Sequence, residues 1–293
     1  MNRLCTAAAA AVLALNLTAC GNSATPGSAS SSTPEHSASP PSSEAASSTP
    51  SAPVSSSPPA SAPTETTPAL SPEPAAAAKS YRMNKVYRIV PIDKAKNASK
   101  VVLLTFDDGP KDKLTLTLLL DTLDKHNAKA IFFVNGYRVK AHPELLKEID
   151  NRKQVIGNHS WDHINLKKEK PAKIKQQLES VQTIVKEVTG KTPVFFRPPF
   201  GSANASVHQI AKDNSMLFMT WSNGSLDWDL GRKVKDSDKP KAVIKNVMEQ
   251  LHDGSNILMH ELPWTAAAMD ELLTALENKG YSFVDPNSID LEL

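Results

Sequence analysis

Cysteine is nearly absent from this chain of 293 residues. The two it has, Cys5 and Cys20, both lie near its start, so no disulfide can form in the remainder. Stability there must come from a packed core or a metal. Long apolar runs are equally scarce, and Leu4–Leu17 is too short for a comfortable membrane span. Large apolar residues almost vanish between Gly21 and Ala78, a stretch of Ser, Pro, Ala and Thr. Such a composition cannot bury enough surface to offset ordering entropy and predicts disorder. Basic runs are missing too. The formal charge is only +2, too mild for a nucleic-acid partner. No internal repeat stands out.

What is present begins with Met1-Asn2-Arg3, the short apolar run, and then Leu17-Thr18-Ala19-Cys20. A basic start, an apolar centre and small residues before a cut site predict a secretory signal peptide over 1–19. The ending resembles the bacterial lipobox. It implies cleavage before Cys20 and lipidation of that residue, hence a membrane-anchored lipoprotein facing the cell wall. Residues 20–78 then form a Pro-rich tether able to reach on the order of 180 Å at ~3.1 Å per residue. Before Lys79 the only basic residue is Arg3, and the acidic ones are Glu35, Glu44, Glu65 and Glu73. The chain's 33 basic and 31 acidic residues therefore leave 32 against 27 from Lys79 onward. That balance suits an anionic wall surface.

Residues 79–293 have the length of a single α/β domain, expected as a monomer. Apolar runs predict strands at Val101–Thr105, Ala130–Val134, Gln154–Gly157, Val194–Phe196, Met216–Trp221, Asn256–Met259 and Tyr281–Val284, after an entry strand in Tyr81–Asp93. Helical spacing predicts helices at Lys113–His126, Pro143–Asn151, Pro171–Val188, Ser206–Asp213, Pro240–Leu251 and Ala266–Lys279. Alternation of the two implies βα units on a parallel sheet, closed as an irregular barrel of about seven strands. Residues just beyond each strand then gather on one face.

Five segments carry chemistry. Thr105-Phe106-Asp107-Asp108-Gly109-Pro110 ends a buried strand on two carboxylates, an arrangement that favours a bound cation. His159-Ser160-Trp161-Asp162-His163 offers two imidazoles four apart, which face one way if the segment turns helically. With one carboxylate, from Asp107 or Asp108, they make a three-ligand set suited to zinc or its neighbours. Arg197-Pro198-Pro199-Phe200-Gly201 supplies a carboxylate partner and, after two prolines without donors, a rigid backbone N–H. Ser225-Leu226-Asp227-Trp228 and Leu258-Met259-His260 add an aromatic face and a general-acid candidate. Trp161, Trp221, Trp228 and Trp264 all fall in or beside these segments, which points to a carbohydrate groove.

In this order and spacing the five segments resemble the motifs of the polysaccharide deacetylase (NodB-homology, carbohydrate esterase family 4) family, from about Val101 to Val284. The resemblance implies a distorted (β/α) barrel and metal-dependent hydrolysis of an N- or O-acetyl group on a polysaccharide. It implies Asp107 as general base paired with Arg197. It makes Asp108, His159 and His163 the ligands of a divalent metal, zinc above all, with cobalt or nickel as substitutes. The Phe200 N–H would hold the oxyanion, Trp228 would line the groove, and His260 would be the general acid. One departure is that Gly224 falls where many members carry an Asp that orients the acid, which leaves Asp227 or another group to compensate. Phe200 also replaces a common Tyr. The expected substrate is N-acetylglucosamine of peptidoglycan, with chitin oligomers, acetylated xylan or N-acetylmuramic acid as alternatives. Two rivals are a non-catalytic wall-binding module and a glycosidase using Asp107 and Asp108. The latter is disfavoured because adjacent strand residues point to opposite sides.

Overall fold

The structure is a computed structural model in which residues 78–232 and 234–292 are described. The expected signal peptide, the lipidated Cys20 and, apart from Ala78, the tether lie outside them. Two short strands open the described chain, β1 (Tyr81–Met83) and β2 (Ile89–Pro91), followed by β3 (Val101–Gly109) and α1 (Lys113–Lys125). Next come β4 (Ala130–Val134), α2 (Gly136–Ala141), α3 (Pro143–Asn151), β5 (Val155–Asn158), α4 (Pro171–Thr189) and β6 (Phe195–Phe196). The remainder is α5 (Ala205–Asp213), β7 (Leu217–Phe218), β8 (Asn223–Gly224), α6 (Lys239–Glu249), β9 (Ser255–His260), α7 (Pro263–Asn278), β10 (Ser282–Phe283) and β11 (Ile289–Asp290).

Seven parallel strands run in the order β7-β6-β5-β4-β3-β9-β8, and β10 pairs with the first residues of β3. Among the described residues β7 and β8 do not pair, so the barrel is open there. Strand alternation sorts the core into two layers. Val102, Leu104 and Phe106 of β3 pack outward with Leu116, Leu119 and Leu120 of α1 and Leu272 and Leu273 of α7. Val101 and Leu103 point inward and join Ile131, Phe133, Phe195 and Leu217. The same parity sends Thr105 and Asp107 inward, at the carboxyl end of the barrel.

The amino end is closed by a second sheet. β1 pairs antiparallel with β2 and parallel with β11, and Met83, Ile89 and Ile289 complete the inner layer. Gly254 meets this sheet so closely that a Cβ would lie 2.0 Å from the Ile89 carbonyl oxygen, at φ 73°. Only glycine fits there.

The expected entry strand is thus two strands of a separate sheet, joined through a turn with Tyr87 at φ 60°. Strands expected at Val194–Phe196 and Met216–Trp221 shrink to β6 and β7, because the chain there bends to place Arg197 and Trp221 around the site. Three elements, α2, β8 and β11, were not expected. β8 is an Asn-Gly pair with no apolar pattern, and its register with Ile257 and Leu258 makes it a strand.

Candidate active site

Asp107 stands on the inner face of β3 and is buried. Its Oδ1 accepts from Arg197 Nη1 at 2.7 Å, and the same nitrogen donates to Thr105 Oγ1 at 2.8 Å. Arg197 is fully buried at the end of β6. Its Nη2 donates to the Thr220 carbonyl at 2.8 Å and to Asn256 Oδ1 at 3.2 Å, and its guanidinium lies 4.4 Å from the Phe133 ring centre. These contacts fix the arginine from three sides. Desolvation pushes the guanidinium pKa down, against the opposing pull of Asp107.

Asp108 would point outward by strand parity, yet it sits at φ 66° in a register shift of β3 against β4. The bulge turns its carboxylate into the same cavity as that of Asp107. The expectation that the two adjacent acids face opposite ways is therefore wrong, and it does not weigh against a glycosidase.

His159, just past β5, donates from Nδ1 to the Arg197 carbonyl oxygen at 2.7 Å. A carbonyl only accepts, so this bond fixes the proton on Nδ1 and leaves Nε2 as a lone-pair donor. That Nε2 lies 3.6 Å from Asp108 Oδ1, and His163 Nε2 lies 3.2 Å from the same oxygen. The segment does not turn helically. Left-handed backbone at Ser160 (φ 64°) and His163 (φ 55°) folds the loop so that their rings lie 5.1 Å apart.

One ligand atom from each of Asp108, His159 and His163 lies within 4.8 Å of the others. Asp108 Oδ1 is buried and has no hydrogen-bond partner among the described residues. A buried carboxylate oxygen without a partner, facing two imidazole nitrogens, fits a divalent cation of the zinc type. Burial pushes the Asp108 carboxyl up, but the His159 and His163 rings and Lys111 outweigh it and hold it below the usual range. Burial also pushes the His163 imidazole down, toward the neutral form that a metal needs.

On the opposite wall stands His260, at the end of β9. Its Nδ1 donates to Asp227 Oδ1 at 2.8 Å, and its backbone N–H donates to Asp227 Oδ2 at 2.7 Å. Asp227 is fully buried and also accepts from Thr265 Oγ1 at 2.7 Å, while Trp264 Nε1 donates to its carbonyl. Burial pushes the His260 pKa down, but the hydrogen bond and charge of Asp227 overcome this and raise it. The doubt raised by Gly224 is thereby resolved: Asp227 orients the histidine, and Gly224 bonds the Gln250 side chain instead.

A cavity of about 440 Å³ joins both walls. Phe200 borders it at φ 60°, with its ring 4.7 Å from that of His163 and 64% of its surface exposed. Pro198 and Pro199 lack an N–H, so Phe200 carries the first amide donor of this turn. Trp228 stands edge-on to His260 at 5.1 Å. Seven of the eight site residues singled out from the sequence line it, and the eighth, Arg197, is buried behind Asp107; Gly201, Trp221 and Leu258 complete the lining. Only two of the four tryptophans face the cavity. Trp161 packs against Gly136, and Trp264 supports Asp227 beneath Lys239.

Residues 94–219 match the family model described as polysaccharide deacetylase. The peptidoglycan-N-acetylmuramic acid deacetylase PdaA of Bacillus subtilis is 33% identical over 186 residues, covering 63% of this chain and 69% of that protein. The chain belongs to the polysaccharide deacetylase family. A peptidoglycan-N-acetylglucosamine deacetylase, PgdA of Listeria monocytogenes, is 37% identical over 198 residues, 67% of this chain. This chain spans only 40% of that relative's length. Among solved structures, BA3943 of Bacillus anthracis superposes with a TM-score of 0.58 at 32% identity, covering 63% of each chain, and is described as a family pseudoenzyme. Activity in this family must therefore be argued from the residues in the cavity, not from the fold.

Proposed function

We propose that the chain is a metal-dependent hydrolase that removes N-acetyl groups from a cell-wall polysaccharide, N-acetylglucosamine of peptidoglycan in the first place. The observation that carries the reading is the placement of a buried carboxylate, Asp107, and an imidazole held by its own carboxylate, His260, in one cavity that also holds the Asp108, His159 and His163 set. Asp107 keeps Oδ2 available, since Arg197 takes Oδ1, and that oxygen lies 3.7 Å from His159 Nε2. It is the proton acceptor for a water entering beside the three ligands. His260 presents Nε2, because Asp227 holds Nδ1, and the raised pKa suits a donor to a leaving amine. The Phe200 N–H is the donor for the developing oxyanion. A divalent metal on Asp108, His159 and His163 supplies Lewis-acid polarisation and lowers the pKa of bound water. Trp221 and Trp228 give the cavity flat apolar faces for a sugar ring and the acetyl methyl.

Named relatives acting on N-acetylglucosamine and on N-acetylmuramic acid support peptidoglycan as the substrate class and leave the sugar open. The lipobox-like Cys20 and the tether support a lipoprotein on the outer face of the cell membrane, within reach of the wall. A wall-binding module without catalysis is the reading that the BA3943 likeness favours. The presence of Asp107 paired with Arg197, of both histidines beside Asp108, and of His260 held by Asp227 opposes it. Incubation with purified peptidoglycan, chitin oligomers and acetylated xylan separates these readings. Acetate released without new reducing ends supports a deacetylase, and the preferred polymer names the substrate. New reducing ends would indicate a glycosidase, and neither product would leave the binding module.

A further inference from the structure

Glu261 follows His260 and is an acid that the chemistry above does not use. It is 2% exposed, and among the described residues no basic side chain bonds it. Its Oε1 instead accepts two backbone N–H groups of the β3–α1 loop, from Lys111 at 2.7 Å and Asp112 at 3.0 Å. Its own N–H donates to the Asp107 carbonyl at 3.4 Å. Its Oε2 is buried, without a hydrogen-bond partner among the described residues. A Cβ on Gly109 would lie 2.6 Å from that oxygen, so the glycine after the two aspartates makes room for this carboxylate.

The loop it grips aims Asp108. Lys111 Nζ lies 3.7 Å from Asp108 Oδ2, which leaves Oδ1 turned toward His159 and His163. Lys111 is held in place by the hydrogen bond from its own backbone to Glu261. We propose that Glu261 is a positioning residue for the metal. Through the Lys111 and Asp112 amides it sets the bulge at Asp108, and through the chain it fixes the distance from that ligand to His260. Groups that orient metal ligands in this way change affinity by ~10–100-fold when removed. The inference rests on the proposed metal-dependent reading.

The test is cobalt(II) titration of the metal-stripped full chain, followed by its visible absorption bands, which report ligand geometry without any substrate. Glu261→Ala is expected to bind cobalt ~10–100-fold more weakly than the wild type and to shift the bands. Glu261→Gln keeps an accepting oxygen and is expected to match the wild type. Gly109→Ala, which pushes the carboxylate off the loop, is expected to reproduce the alanine loss. Wild-type affinity and bands in Glu261→Ala, whatever its melting temperature, would overturn the proposal. So would an equal loss in Glu261→Gln. Should Glu261→Ala not fold, Gly109→Ala with unchanged affinity overturns it and a weakened one supports it. A wild type that takes up no cobalt would remove the metal-dependent reading itself, and this inference with it.

Discussion

Replacing Asp227 by Asn probes the wall of the site away from the Asp108, His159 and His163 set. Asp227 is fully buried and accepts three hydrogen bonds through its carboxylate, from His260 Nδ1, the His260 N–H and Thr265 Oγ1. Asn preserves the shape and removes the charge. The loss is that of one hydrogen bond between His260 and a charged acceptor, ~1.5–3 kcal/mol. If this bond serves only the protonated histidine, the rate falls ~10–150-fold where wild-type His260 is still protonated. The sign follows from the pKa. Asp227 raises that of His260 against the opposing effect of burial, so the protonated acid persists to higher pH than an ordinary histidine. Without the charge, burial dominates and the acid is lost at lower pH. The alkaline limb of the kcat profile for acetate release from a soluble acetylated oligosaccharide should therefore move to lower pH, with the acid limb unchanged. An Asp227→Asn enzyme whose alkaline limb stays in place would refute the assignment of His260 as the acid held by Asp227.

Three further outcomes follow from the same geometry. Asp107→Asn should lower kcat ~10²–10⁴-fold while metal content, measured by atomic emission, stays at the wild-type value, because Asp107 is not among the three ligands. His159→Ala should abolish stoichiometric metal binding, and with it activity, while circular dichroism remains that of a folded α/β protein. Arg197→Ala should cost about 3–5 kcal/mol in urea denaturation, because it leaves the Asp107 carboxylate buried without its partner.

Much of this molecule could be read from its residues because the central strands β3 and β4 carry uninterrupted apolar runs. Val101–Leu104 has no other stable placement than a strand covered on both faces, and the rule that strand ends converge then gathers Asp107, His159, Arg197 and His260. What could not be read depends on single backbone angles. Asp108 faces the cavity only because of a positive φ at a non-glycine residue, which no local pattern announces. The fold of His159–His163 rests on two more such residues. Asp227 reaches His260 across 33 positions through a short turn begun by Leu226 at φ 54°, so its role was open until the turn was placed. Trp161 and Trp264 lie in the right segments yet face away, because helix and loop packing, not sequence proximity, decides which side of a turn reaches the cavity.

The most direct test of the central claim is acetate release from purified peptidoglycan by the full chain, after metal removal by a chelator and again after zinc or cobalt is restored. The account predicts acetate that disappears with the metal, returns at about one ion per chain, and is matched mole for mole by new free amines. Acetate release indifferent to metal removal, or restored metal without acetate from any acetylated wall polymer, would contradict it.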